Sequence, residues 1–89
     1  MILIVDSGST KTDWIAISDE GKQLFQTQTL GLNPAVLSSE IINERIINNF
    51  ELYQNRDKVS HVYFYGAGCG TPKPSLMLKE VFESYFKNA

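Results

Sequence analysis

This 89-residue chain has one cysteine, one histidine and three prolines. With Cys69 alone, no internal disulfide can form, and no Cys/His group has the spacing of a zinc site. A reducing compartment, the cytoplasm, is the expectation. The N-terminus shows neither a basic stretch nor a long apolar core, so it does not read as a secretory signal. No apolar run approaches the roughly 20 residues of a membrane span. Positive charge is also scarce. Eight Lys and Arg face ten Asp and Glu, for a net charge of −2. A pI near 5.2 leaves no basic footprint for nucleic acid or an anionic membrane. Internal repeats and low-complexity tracts are missing as well.

What remains is ordinary globular composition, 43% hydrophobic and 20% charged, and enough for one domain spanning residues 1–89. A domain this small buries only about 60–65% of its unfolded surface, so its stability margin is modest. The pattern predicts a first strand over Ile2–Asp6. It is apolar throughout up to Asp6, as expected for a central strand buried on both faces. A second strand is expected over Thr12–Ser18, and Asp19-Glu20-Gly21-Lys22 as a hairpin turn with Gly21 at positive φ. The third strand, Gln23–Thr29, is polar enough for a sheet edge.

Pro34 then biases Asn33 towards extended geometry, and Asn33 is a candidate cap for the helix that follows. That helix is expected from Ser38 to Tyr53, with Ile42, Ile46, Phe50 and Tyr53 on its apolar face. A fourth strand, His61–Tyr65, runs into a glycine-rich loop, 66–72. A last helix starts near Pro74, with Leu78, Val81, Phe82 and Tyr85 as its stripe. Three strands, helix, strand, helix describe an α/β fold. Its sheet is mixed, with the fourth strand returning parallel to a neighbour, in a ribonuclease H-like layout of order βββαβα.

The chemistry concentrates in Asp6-Ser7-Gly8-Ser9-Thr10-Lys11-Thr12-Asp13, a polar turn between two apolar strands. A carboxylate, a glycine, several hydroxyls and a lysine are the groups that hold a metal-bound polyphosphate. Gly8 allows close backbone approach to an anion, and successive turn N–H groups form an anion nest. The same residue types also make ordinary hairpins, so an unliganded turn is the plain alternative. Asp6 stands at a strand end, where open α/β sheets place their ligands.

The 6–13 turn, the element order and the Tyr65-Gly66-Ala67-Gly68-Cys69 loop resemble the sugar-kinase/actin/heat-shock-chaperone ATPase superfamily. More narrowly, the chain resembles the beginning of bacterial N-acetylglucosamine kinase-like proteins of the BadF/BadG-type ATPase family. The resemblance spans essentially all 89 residues and implies part of an actin-like N-terminal lobe, with a second lobe expected elsewhere in a longer protein. It implies ATP and Mg²⁺ as cofactors and an amino sugar as substrate. Asp6 matches the metal-holding acid. Gly8 and Thr10 match the turn on the β- and γ-phosphates, flanked by Ser7, Ser9, Lys11 and Thr12 as cofactor-binding positions. Asn33 matches a sugar-contacting asparagine, and Gly66, Ala67 and Gly68 match a loop lining the sugar pocket. Many relatives have glycine where this chain has Ser7 and Ser9. The family's catalytic aspartate is expected on a strand beyond Ala89, so no catalytic residue is expected within this chain. The chain alone is then expected to be inactive.

Other functions remain open at this level. The same family includes ATPases that activate a partner enzyme through a cysteine-held iron–sulfur cluster, but Cys69 alone does not supply that pattern. A nuclease of ribonuclease H type needs several carboxylates converging on two metals. Here the fourth strand ends without an acid, and Glu40 and Glu44 leave the set incomplete. A non-catalytic interaction domain is the third alternative, and uncovered apolar surface would then favour self-association. His61, Lys73 and Lys79 read as structural or surface residues, Trp14 as core, Cys69 as a small inert side chain, and Asp13 as either a neighbour of the metal site or a solvent-facing carboxylate.

Overall fold

A computed structural model describes residues 1–8, 10–66 and 72–89. Four strands form one sheet: β1 (Ile2–Ser7), β2 (Lys11–Ile17), β3 (Gln23–Leu30) and β4 (His61–Gly66). Their spatial order is β3-β2-β1-β4. β1 and β2 are antiparallel, as are β2 and β3, whereas β4 lies parallel to β1. The helices are α1 (Ser39–Ile47), α2 (Phe50–Asn55) and α3 (Pro72–Tyr85), with a 3-10 turn at Arg56–Lys58. This is the expected mixed α/β order, with polar β3 at an edge and β1 inside the sheet.

Strand alternation sends Leu3, Val5, Trp14 and Ala16 to one face, where all four are fully buried. The helices cover that face. Ile42 and Ile46 come from α1, Leu52 from α2, and Leu78, Val81, Phe82 and Tyr85 from α3. Phe86, just past the end of α3, is also fully buried. The centre is aromatic. The Trp14 and Phe82 rings meet edge-on with centroids 6.0 Å apart, and Phe64 lies 5.6 Å from Phe82. Each such pair contributes roughly 0.5–1.5 kcal/mol beyond its buried area. The Trp14 indole N–H is satisfied by Thr29 Oγ1 at 3.0 Å.

Three expectations need correction. The 38–53 segment is not one helix. Ser38 caps α1 by accepting the Ile41 N–H at 3.3 Å, and the helix ends at Asn48. Asn49 then adopts extended geometry and caps α2. Its Oδ1 accepts the Leu52 N–H at 3.0 Å, while its Nδ2 donates to Thr27 Oγ1 and to the Gln28 carbonyl on β3. Bonding to the sheet and capping a new helix together outweigh continuing the old one. The break rotates the apolar face, so Leu52 is buried while Phe50 and Tyr53 are exposed.

Secondly, Asn33 caps no helix; it closes a turn in which its Oδ1 accepts the Ala35 N–H at 2.9 Å. Thirdly, β1 is covered on one face only. Ile2 and Ile4, on the other face, are half-buried among the described residues. The hairpin at 19–22 is as expected, with Gly21 at φ 88°. Among the described helices, none is long and apolar enough to cross a membrane.

Candidate functional site

Strand register gathers most of the candidate residues at one end of the sheet. Ser7 ends β1 and sits opposite Thr12 on β2 and Gly66 on β4. Lys11 sits opposite Leu30, the last residue of β3, and the Asn33 loop begins directly after it. Asp6, Gly8, Thr10, Lys11, Asn33 and Gly66 therefore share one rim. Ser9, Ala67 and Gly68 lie outside the described residues, as does Cys69.

Alternation divides this rim between two faces. On the open face, one row crosses all four strands: Tyr65, Asp6, Asp13 and Gln28. Asp6 is exposed. Asp13 accepts a 2.6 Å hydrogen bond from Gln28 Nε2 on the neighbouring strand β3, and its position on β2 is opposite Asp6. Two carboxylates directly opposite each other on neighbouring strands repel, and a cation between them relieves that cost. Among the described residues no group of three or more His, Cys, Asp or Glu forms a metal cage. One or two carboxylates with open space beside them are what Mg²⁺ requires when phosphate oxygens complete its shell.

On the covered face, Ser7 and Thr12 are buried and turned inward. Their hydroxyl oxygens are 2.9 Å apart. Thr12 Oγ1 donates to the Leu30 carbonyl at 3.2 Å, and Ser7 Oγ accepts the Leu32 N–H at 3.0 Å. These side chains are engaged inside the protein, so only their backbone remains to face a phosphate. Gly8 does not open its N–H to the surface either, because it donates to the Lys11 carbonyl at 2.8 Å and closes the turn. Thr10 and Lys11 are exposed on the rim and keep their side chains available.

Glycine at 66 is dictated by packing. A Cβ there would lie 2.6 Å from the Phe64 ring and 3.0 Å from Ser7 Cβ. Asn33 is half-buried, and the hydrogen bond to Ala35 leaves its side-chain NH₂ as the group a ligand can use. Two residues escaped the sequence reading. Gln28 looked like an ordinary polar residue of an edge strand, and only register places it across from Asp13. Arg45, on α1, donates to the Gly31 carbonyl at 2.5 Å and braces the Asn33 loop.

A further concavity among the described residues lies elsewhere. A groove of about 450 Å³ runs along the free edge of β4, lined by Val62, Phe64, Leu78 and Phe82, with Lys79 and Glu83 at its margin. None of the candidate rim residues lines it. Among the described residues no further strand pairs with this edge of the sheet, and apolar side chains make up the floor of the groove.

No family model matches the chain, and no curated protein matches it. Among solved structures it matches a Porphyromonas gingivalis protein described as a putative N-acetylglucosamine kinase. Identity is 43% over 100% of this chain, with a TM-score of 0.83. The chain is N-acetylglucosamine kinase-like over its whole length. Its mixed α/β fold is accordingly that of part of the Porphyromonas protein, an actin-like ATPase fold. The chain spans 31% of the length of that Porphyromonas protein. The candidate rim is therefore compared with about a third of a larger molecule.

Proposed function

We propose that this chain is the N-terminal part of an ATP-dependent sugar kinase acting on an amino sugar of the N-acetylglucosamine type. One observation carries the reading: 43% identity over the entire chain to the Porphyromonas protein, at a TM-score of 0.83. That protein's description names a sugar kinase, which favours this reading over an activator of a partner enzyme. The rim chemistry supports it. Asp6 offers an exposed carboxylate next to a tight polar turn, and Asn33 offers an amide three residues beyond the end of β3.

In this reading Asp6 holds Mg²⁺ on the phosphates of ATP, with Asp13 beside it raising the local negative charge that a cation must neutralise. Bound there, the metal would neutralise charge developing on the transferred phosphoryl group. Thr10 and Lys11 would hold the phosphate oxygens, the hydroxyl by hydrogen bond and the ammonium as a point charge. Asn33 and the 66–68 loop orient the sugar hydroxyl. The acid that takes the hydroxyl proton belongs to a further part of the protein, as does the second lobe that excludes water. The whole protein acts in the cytoplasm.

The test is sugar-dependent release of ADP by the protein containing this chain, assayed with N-acetylglucosamine and a panel of hexoses. Asp6→Asn is expected to lower turnover at least a hundredfold while the protein stays folded. Turnover that is independent of every sugar, or unchanged in Asp6→Asn, overturns the reading.

A further inference from the structure

Ser7 is one of two buried polar residues next to the candidate site, 4% exposed, the other being Thr12. The Ser7 Oγ lies in a chain of hydrogen bonds. The Leu32 N–H donates to Ser7 Oγ at 3.0 Å, Ser7 meets Thr12 Oγ1 at 2.9 Å, and Thr12 donates to the Leu30 carbonyl at 3.2 Å. Either hydroxyl can donate in the middle bond, and the Leu30 carbonyl is the further acceptor within reach of Thr12. The alternative acceptor for Ser7, the Gly8 carbonyl, is longer at 3.4 Å.

The chain of bonds starts and ends on the two residues that flank Gly31. Gly31 itself is held from both sides. Its N–H donates to the Thr10 carbonyl at 3.1 Å, and its carbonyl accepts from Arg45. Leu32 is fully buried, so the loop is pinned by packing as well. Asn33 leaves this anchored segment directly. Ser7 is also the next residue after Asp6 on β1. A single hydroxyl thus ties the strand end that carries the metal-binding candidate to the loop that carries the sugar-binding candidate.

We propose that Ser7 is a positioning residue that fixes the Asn33 loop against the phosphate turn, so that the two halves of the site are assembled as one unit. The ligand part of this proposal rests on the sugar-kinase reading above. Ser7 itself touches neither ligand; it acts through Leu32 and Thr12. Buried networks of this kind hold geometry because each bond has no water to replace it.

The experiment compares wild type with Ser7→Ala and Thr12→Val. Amide exchange is followed by NMR in the 89-residue chain. Losing a buried hydrogen bond is expected to speed Leu32 exchange about five- to tenfold in Ser7→Ala, with Ala35 following, while the Val5 and Trp14 amides of the core are unmoved. Thr12→Val, which leaves the Leu32 bond in place, should give a smaller change. Kinetics on the protein containing this chain then separate positioning from simple destabilisation. Ser7→Ala should raise KM for the sugar about tenfold and leave KM for ATP within about twofold. Unchanged Leu32 exchange overturns the proposal, as does an unchanged sugar KM in an active enzyme. A wild-type protein that phosphorylates no sugar refutes the kinase reading and the ligand part with it; the Leu32 result then decides the loop-fixing role by itself.

Discussion

The two faces of the sheet are built from the same strands by alternate residues, yet they meet different environments. On one face Leu3, Val5, Trp14 and Ala16 are wholly buried under the helices. On the other, Ile2, Ile4, Ile15 and Ile17 are half-buried, and Tyr63 and Tyr65 are largely exposed. Hydrophobic character alone does not distinguish them; β1 is apolar on both. What differs is which neighbours each face meets. The covered face is packed by described residues, whereas the open face bears the Asp6–Asp13–Gln28 row at its rim. Stability is thus concentrated on one side and the candidate chemistry on the other. Between them lies Ser7, whose backbone belongs to the site and whose side chain belongs to the core.

That contrast can be broken by mutation. The largest effect is expected at Trp14, where Trp14→Ala removes the side chain that meets both Phe82 and Phe86. A loss of about 3–5 kcal/mol follows from such a truncation, a large share of a small domain's total. Urea denaturation followed by circular dichroism would show it. On the open face, Ile15→Ala should cost well under half as much, and equal costs for the two variants would erase the distinction between faces.

Gly66→Ala comes next. The new methyl group would collide with the Phe64 ring, which is itself packed on Phe82, at a cost of about 1–3 kcal/mol. A neutral result in the same denaturation assay would show that Phe64 moves aside freely. Asn49→Ala removes a helix cap and two bonds to β3, and about 1–2 kcal/mol should be lost. If the break between α1 and α2 were set by helix propensity instead, Asn49→Ala would raise the helical signal.

Tyr85 gives the smallest effect, and it sharpens the picture of the covered face. Its hydroxyl is buried without a hydrogen-bond partner among the described residues. Burial raises its pKa above the ordinary 10.0, with the Arg56 charge pulling the other way and Tyr53 adding slightly. A raised folded pKa means that stability is at its full value below pH 10, where the phenol is neutral in both states, and that ionisation opposes folding above it. Stability is lost as pH rises from there through the folded value. Tyr85→Phe should therefore be neutral or slightly stabilising at pH 7, and its advantage over wild type should grow above pH 10. Parallel stability curves for the two proteins from pH 7 to 11 would contradict this.

Much of the fold was legible because local rules and tertiary packing agree. Apolar runs between turn residues marked the first two strands, Gly21 marked the hairpin, and Leu78, Val81, Phe82 and Tyr85 marked the buried stripe of α3. The rim was legible through Asp6 and the turn that follows it. Asn49 was not, since Ile42, Ile46, Phe50 and Tyr53 continue a helical period straight through it. Its side chain responds to Thr27 and Gln28, over 20 residues away in sequence. Nor were the roles of Ser7 and Thr12 visible. In a polar turn their hydroxyls look available for phosphate, and only the pleat shows that they point inward.

The amino-acid order by itself determined the four strands, the last helix, the edge position of β3 and the concentration of phosphate-type chemistry after the first strand. Those properties follow from periods of 2 and 3.6 residues and from turn chemistry, which act over a few positions. Only the tertiary structure decided which face of β1 is covered, that Asp13 and Gln28 join Asp6 in one row, and that Ser7 ties the Asn33 loop to the turn. Each of these depends on strand register. A shift of one residue would exchange the two faces and send Ser7 to solvent and Asp6 into the core.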